Sequence, residues 1–266
     1  MLKHAYVAGV RGFRPIAERI GLLGALERHS SNSRGARWLR SLFAIYDIED
    51  MAELDLPWWT FAAIAEADKF LKSRSSPRVF EYGSGASTIW LARRAASVTS
   101  IEHDRPWHGV VSKRLAVHKN AAVKLIEADA DPVPGYLSEK PGWQGRSFQR
   151  YASAIDDESG HFDLIVVDGR ARGACLAHAI KKLAPDGMIL FDNSQRARYR
   201  TAIAASGLEA QTYRGLTACL PYPDETTLLT ADRKRAERKS PILLDSQAAP
   251  YRGGRARLQP FGLPCR

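Results

Sequence analysis

The stretch Phe80-Glu81-Tyr82-Gly83-Ser84-Gly85-Ala86-Ser87-Thr88 decides the fold. An apolar, β-prone run (PRVFEY, 77–82) ends in two glycines spaced by one residue, and a helical pattern (ASTIWLARRAA, 86–96) follows at once. A strand that turns sharply through glycine into a helix is the first half of a strand–helix–strand unit. Such a turn lets the backbone approach a ligand and leaves the helix N–H groups free. The dinucleotide fingerprint GxGxxG requires a third glycine where this chain has Thr88, and it does not expect a carboxylate at Glu81. Both departures argue against a nicotinamide dinucleotide.

Outward from that turn, strand-like runs alternate with helical ones. SVTSIE (97–102), AVKLIE (122–127), FDLIVVD (162–168) and GMILFD (187–192) are short, β-branched and aromatic, with further strands expected near 211–220 and 226–230. Between two of them, ARGACLAHAIKKLA (171–184) places Cys175, Leu176, Ala179, Ile180 and Leu183 on one helical face, with Pro185-Asp186-Gly187 expected to end it. The alternation predicts an α/β fold: a doubly wound, mostly parallel sheet. Ligands of such sheets bind beyond the carboxyl ends of the strands. Here those ends read Glu81, Glu102-His103-Asp104, Glu127-Ala128-Asp129, Asp168-Gly169-Arg170 and Asp192-Asn193-Ser194, so all five strands deliver a carboxylate to one edge. Glu102, about 20 residues past the glycines, is placed to accept hydrogen bonds from both hydroxyls of a ribose.

Composition sets the outer bounds. The chain has 266 residues, 45% apolar and 26% charged, which excludes general disorder and leaves ample length for a buried core. Three cysteines (Cys175, Cys219, Cys265) at unrelated spacings form neither a zinc pair nor a disulfide framework, so a reducing, cytoplasmic location is expected. No apolar run is long enough for a membrane span, and Arg11, Arg14 and Arg19 interrupt anything resembling a signal peptide. The formal net charge of +10 sits at the ends: residues 1–46 carry eight Lys/Arg against two Asp/Glu, and 231–266 carry nine against three. The expected organisation is a helical extension (1–56), a central domain (57–230) and a basic tail (231–266). Within the extension, Ile16, Ile20 and Leu23 mark an amphipathic helix, residues 30–37 a polar break, and residues 58–71 an apolar helix after Asp55-Leu56-Pro57. The long connection 132–160 reads either as a substrate loop or as an inert insertion, and Trp58-Trp59 either as core or as the mouth of a site.

FEYGSGAST, SIEHD, EADA, FDLIVVDG and LAPDGMILFDN, in this order and spacing, resemble the class I S-adenosylmethionine-dependent methyltransferases over roughly residues 57–230. The resemblance implies a Rossmann-like sheet of seven strands with the last antiparallel. It implies that Glu81, Gly83 and Gly85 contact the methionine part of S-adenosylmethionine, with Tyr82, Ser84, Ser87, Thr88 and Asp168 completing that site. Glu102 would hold the ribose, Asp129 the adenine amino group, and His103 would pack on the adenine or lie on the surface. Within that class the chain is most similar to the catechol-type O-methyltransferases. In these, Asp168 and the pair Asp192-Asn193 stand where an Mg²⁺ ion is bound. The chain departs from them at Arg170-Ala171-Arg172, where that family carries a lysine base. Two site chemistries therefore stay open: a metal held by Asp168, Asp192 and Asn193, or a metal-free site in which Asp168, Arg170, Asp192 and Asn193 serve the acceptor directly.

The activity implied is methyl transfer to an oxygen of a small molecule, an acidic or glycosylated one included, by a protein that a homodimer would also suit. Two competing readings are an RNA-binding or RNA-modifying protein, favoured by the basic ends but lacking interleaved aromatic residues, and a catalytically inactive cofactor fold that serves another protein.

Overall fold

The structure is a computed structural model that describes residues 2–231; the rest of the basic tail, with Cys265, lies outside the described residues. Five helices come first: α1 (Leu2–Arg19), α2 (Leu22–Ser30), α3 (Arg34–Leu42), α4 (Ile48–Glu53) and α5 (Phe61–Lys72). The alternating part follows as β1 (Arg78–Tyr82), α6 (Ala86–Ala92), β2 (Ser97–Glu102), α7 (Arg105–Leu115), β3 (Ala121–Leu125), α8 (Gln149–Ser153), β4 (Phe162–Val167), α9 (Arg172–Lys182), β5 (Leu183–Asp192), α10 (Ala197–Ala205), β6 (Glu209–Gly215) and β7 (Asp224–Thr230). The seven strands form one sheet in the order β3-β2-β1-β4-β5-β7-β6, parallel except for β7, which runs antiparallel to both neighbours. This is the expected seven-stranded, doubly wound arrangement.

Burial follows position in the sheet. Central β4 is buried on both faces, as its unbroken apolar run requires, whereas edge strand β6 is polar and mostly exposed. Strand alternation sorts β1 between two cores. Val79 joins Leu164, Leu190 and the helices of one face, while Phe80 and Tyr82 join Phe162, Phe191 and Cys175 on the other.

Three local expectations change. Helix α9 ends at Lys182, and Leu183 already pairs with Phe162, so Pro185-Asp186-Gly187 lies inside β5 across an irregular register instead of in a turn. The polar stretch 30–37 contains the start of α3, because the Ser33 hydroxyl caps it by accepting the Ala36 N–H. The apolar helix begins at Phe61, since Trp58 and Trp59 form a bend and extended Thr60 bridges to Thr217. The N-terminal extension packs on the sheet domain. Ala44, Ile45, Ile48 and Met51 share a core with sheet residues, and the Trp38 indole N–H donates to the Leu220 carbonyl at 2.9 Å. No helix among the described residues is long and apolar enough to cross a membrane.

Candidate functional site

Register brings the site together. Tyr82 pairs with Ile101 on one side and Val167 on the other, so the next residue of each strand meets its neighbours: Gly83 beside Glu102 and Asp168. Gly83 takes φ +98°, open to glycine but strained for other residues. A Cβ there would press on the Asp168 carbonyl carbon at 3.2 Å and on the Gly169 nitrogen at 3.3 Å, while one on Gly169 would strike the Tyr151 hydroxyl. Two glycine backbones thus touch at the floor of a cleft of about 550 Å³. Its floor is Gly83–Ser87, Glu102–Asp104 and Asp168–Arg170, and Trp107, Lys140 and Trp143 wall it.

Tyr46, Ile48 and Met51 from the extension, with Trp58 just after it, form a further wall, Tyr46 and Trp58 lying edge-to-face at 5.2 Å. Trp59 is fully buried against Trp90 at 5.7 Å, with its indole N–H near enough to the Asp168 carboxyl to act against the rise in its pKa. The connection 132–160 is ordered. Leu137 pairs with Ser147, and the tip between them brings Lys140 and Trp143 to the cleft.

Glu102 is the best-served carboxylate of the site. Its Oε1 accepts the N–H groups of His103 (2.7 Å) and Asp104 (3.0 Å), and its Oε2 accepts the Ser84 N–H (3.2 Å) and hydroxyl (2.9 Å). Burial acts to raise its pKa, but the His103 ring and these donors outweigh it and hold the carboxyl below the ordinary glutamate value. His103 is buried, edge-on to Trp143 at 4.7 Å. Its Nδ1 makes a close contact with Glu102 Oε1 (2.7 Å) that is not an aligned hydrogen bond, and its Nε2 accepts from Arg170 Nε at 3.0 Å. Trp107 N–H caps back to Asp104, and the indole N–H donates to the Ser84 carbonyl at 2.8 Å, which fixes the glycine loop from above.

Several expected cofactor contacts stand away from the cleft lining. Glu81 lies beneath the loop and takes the hydroxyls of Ser87, Thr88 and Ser100 at 2.5–2.6 Å. Burial pushes its carboxyl up to about 7 despite those donors. Tyr82 points into the opposite core, where its hydroxyl donates to the Ala152 carbonyl. Thr88 is buried between Glu81 and the Gly85 N–H. Asp129 secures the start of α8 by accepting from Ser147, the Gln149 N–H and Arg150.

At the ends of β4 and β5 a guanidinium takes the place that a cation would need. Buried Arg172 donates to Asp168 Oδ1 at 2.6 Å, to the Asp168 carbonyl at 3.0 Å, to the Gly169 carbonyl at 3.2 Å and to the Asp192 carbonyl. Asp192 accepts from Thr226 at 2.7 Å, and burial, then the neighbouring Asp168, pushes its carboxyl well above the usual aspartate range. Asp168 is also raised by burial, with Arg172 opposing, and it is 26% exposed on the cleft side. Asn193, at φ +52°, turns its amide to Asp224 at 2.9 Å. Asp192 and Asn193 line neither the cleft nor the smaller cavity beside it. These residues do not fit an Mg²⁺ ion. One carboxylate is bound to a fixed positive charge, the second lies outside the cleft lining against Thr226, and the amide faces Asp224. Among the described residues, no cluster of three His, Cys, Asp or Glu side chains has metal-binding spacing.

Sequence reasoning missed Trp107 and the wall from Tyr46, Ile48 and Met51. A signal existed for the first: Asp104-Arg105-Pro106 is a helix start, which sets Trp107 in the first turn above the end of β2. Nothing local marked the second, since that wall depends on how the extension docks.

No family profile and no curated protein matches the sequence. Among solved structures, the chain is similar to an O-methyltransferase from Bacillus cereus in complex with SAH (17% identity, 70% of this chain and 90% of that one, TM-score 0.52). It also matches an O-methyltransferase from Streptomyces achromogenes in complex with SAM (20% identity, 70% and 89%, TM-score 0.49). A third match is a methyltransferase-like protein from Silicibacter pomeroyi (25% identity, 67% and 91%, TM-score 0.45). With its strand order, antiparallel β7 and the Bacillus cereus likeness, the chain has the Rossmann-like fold of the class I S-adenosylmethionine-dependent methyltransferases.

Proposed function

We propose that the chain binds S-adenosylmethionine in the 550 Å³ cleft and transfers its methyl group to an oxygen of a small-molecule acceptor. The observation that carries this reading is Glu102, an ionised carboxylate at the end of β2, facing a cleft whose floor is two touching glycine backbones. Of the four donors on Glu102, the Ser84 hydroxyl alone can swing away, so a ribose hydroxyl takes its place while the three backbone N–H groups keep the carboxylate oriented. Trp107, Pro106 and Val110 offer an apolar face beside it for an adenine ring. S-adenosylmethionine supplies an electrophilic methyl group on a sulfonium. The protein fixes the line between that carbon and the acceptor oxygen, and excludes water.

Asp168, at the cleft floor, accepts the acceptor's hydroxyl proton through the oxygen not bonded to Arg172. Arg170, steered by His103, faces the developing negative charge. Arg170 remains a cation and does not act as a base. In this reading residues 57–230 are the catalytic domain, and the extension is a structural part of its cleft. Cys175 and Cys219 are buried free thiols, as a cytoplasmic setting allows.

Calorimetric titration of the full chain with S-adenosylhomocysteine tests the proposal. Saturable binding at one site per chain, displaced by S-adenosylmethionine, is expected. Transfer of a labelled methyl group to hydroxylated acids, without added metal, should follow. Absence of binding removes the reading.

A further inference from the structure

Beside the cleft, and sharing Lys140, Gly169 and Arg170 with it, lies a second cavity of about 180 Å³. Three pieces of chain enclose it: the loop 135–140, the turn from β4 into α9, and the first residues of α10 with Arg196 just before them. Five cationic side chains reach it (Lys140, Arg170, Arg172, Arg196 and Arg198) against one carboxylate, Glu139. That carboxylate lies 3.5 Å from Arg198 and is itself 65% exposed, so it neutralises little of the wall.

Only part of that positive charge is spent internally: Arg198 faces Glu139, and Arg170 and Arg196 act at longer range on the Asp168 carboxylate. Arg172 is committed to Asp168 and to backbone carbonyls, but the hydrogen bonds of Arg170 go to neutral acceptors, the His103 ring and the Gly169 carbonyl. Arg196 makes no side-chain hydrogen bond or ion pair among the described residues. The first turn of α9 opens into the same space without a side-chain cap, from an N-cap Ala171 held at φ +44°. Left-handed backbone at a non-glycine residue is costly and is retained where the surroundings demand it. The volume holds roughly six waters at ~30 Å³ each, room for a carboxylate or phosphate group and too little for a second drug-sized ligand.

We propose that this cavity is the anchoring site for an oxyanion of the methyl acceptor. The substrate class is then a small hydroxylated acid: its carboxylate or phosphate group sits among Arg170, Arg196 and Arg198, and its hydroxyl reaches past Arg170 to Asp168 in the cleft. This rests on the methyl-transfer reading above. Arginine suits the task because its planar fork meets carboxylate and phosphate oxygens two at a time. The contiguity of the two spaces through Gly169 and Arg170 makes one molecule able to occupy both.

The test uses the full chain saturated with S-adenosylhomocysteine, titrated with inorganic phosphate and, separately, with succinate. Saturable binding of at least one of them is expected, and the tighter of the two names the oxyanion. In Arg196→Gln/Arg198→Gln that affinity should fall at least ten-fold, while S-adenosylhomocysteine binds as before. In Lys113→Gln/Lys119→Gln, which removes two exposed charges outside the cavity, it should stay unchanged. The proposal is overturned if neither anion saturates, if the arginine variant binds them equally, or if the anions compete with S-adenosylhomocysteine. It is equally overturned if the arginines govern the binding of a short RNA and not of the small anions. Failure of S-adenosylhomocysteine to bind the unaltered chain is a different result: it removes the methyl-transfer reading, and with it the acceptor role of the cavity.

Discussion

The two halves of the sheet edge solve the same problem differently. On the β1–β2 side, Glu102 is surrounded by N–H donors of its own loop and by the N–H and hydroxyl of Ser84 in the glycine loop, stays ionised and faces an open cleft. On the β4–β5 side, Asp168 and Asp192 are drawn together by register, and a buried guanidinium and a threonine hydroxyl occupy their acceptor sites. A carboxylate at the end of a parallel strand is therefore not by itself a ligand donor. What surrounds it decides whether it can receive a ribose, a metal ion or nothing new.

The largest effect should come from the second half. Arg172→Met removes the cation and leaves the Asp168 carboxylate and three backbone carbonyls unserved, so urea denaturation at pH 7 should show a loss of about 3–5 kcal/mol. A loss below about 1 kcal/mol would mean that the carboxylates find other partners and that the contrast between the halves is smaller than drawn here.

Glu81 carries the next. Its folded pKa of about 7 lies above the ordinary glutamate value, so the unfolded chain gives up this proton first as pH rises. The stability it contributes is complete below about pH 4.5 and is lost as pH rises to about 7, at about 1.4 kcal/mol per pH unit. Glu81→Gln, which keeps a neutral acceptor for the hydroxyls, should flatten that part of the stability–pH curve; an unchanged slope would show that Glu81 is already ionised at low pH.

Glu102→Gln sharpens the comparison from the ligand's side. It turns one oxygen into a donor facing N–H groups and removes the charge from a hydrogen bond worth roughly 1.5–3 kcal/mol. S-adenosylhomocysteine should then bind about ten- to a hundred-fold more weakly. Unchanged affinity would move the ribose elsewhere. The smallest effect is expected from Mg²⁺: millimolar amounts should neither raise the melting temperature nor bind saturably, and chelation should leave methyl transfer as it was. Saturable binding abolished by Asp192→Ala would reopen the metal reading.

Much of this was legible in the chain. The glycine turn and the five carboxylate-bearing strand ends follow from local pattern, the antiparallel last strand was implied only by the resemblance to the methyltransferases, and the structure has all three. What was not legible is which way those carboxylates are served. Glu81 and Tyr82 are adjacent, yet alternation sends one under α6 and the other into the opposite core. Asp192 meets Thr226, 34 positions on, and its carbonyl meets Arg172, 20 positions back. Partners at such separations leave no periodic trace. The Tyr46–Met51 wall escaped for the same reason, as did the basic cavity, whose arginines come from separate turns.

The placement of β7 between β5 and β6 has a consequence for how the chain is born. Strand β6 leaves the ribosome before its sole sheet partner exists, and β5 presents an unpaired edge until that partner arrives. The segment linking them, 216–223, is also where Trp38 of α3 and Thr60 dock, so these earlier residues wait for nearly the last described ones. A nascent chain stopped before residue 224 should be cleaved readily by protease and prone to associate through β5. Release of residues 224–230 should convert it to a resistant form in a single step, since the same hairpin closes the sheet and clasps the amino-terminal helices.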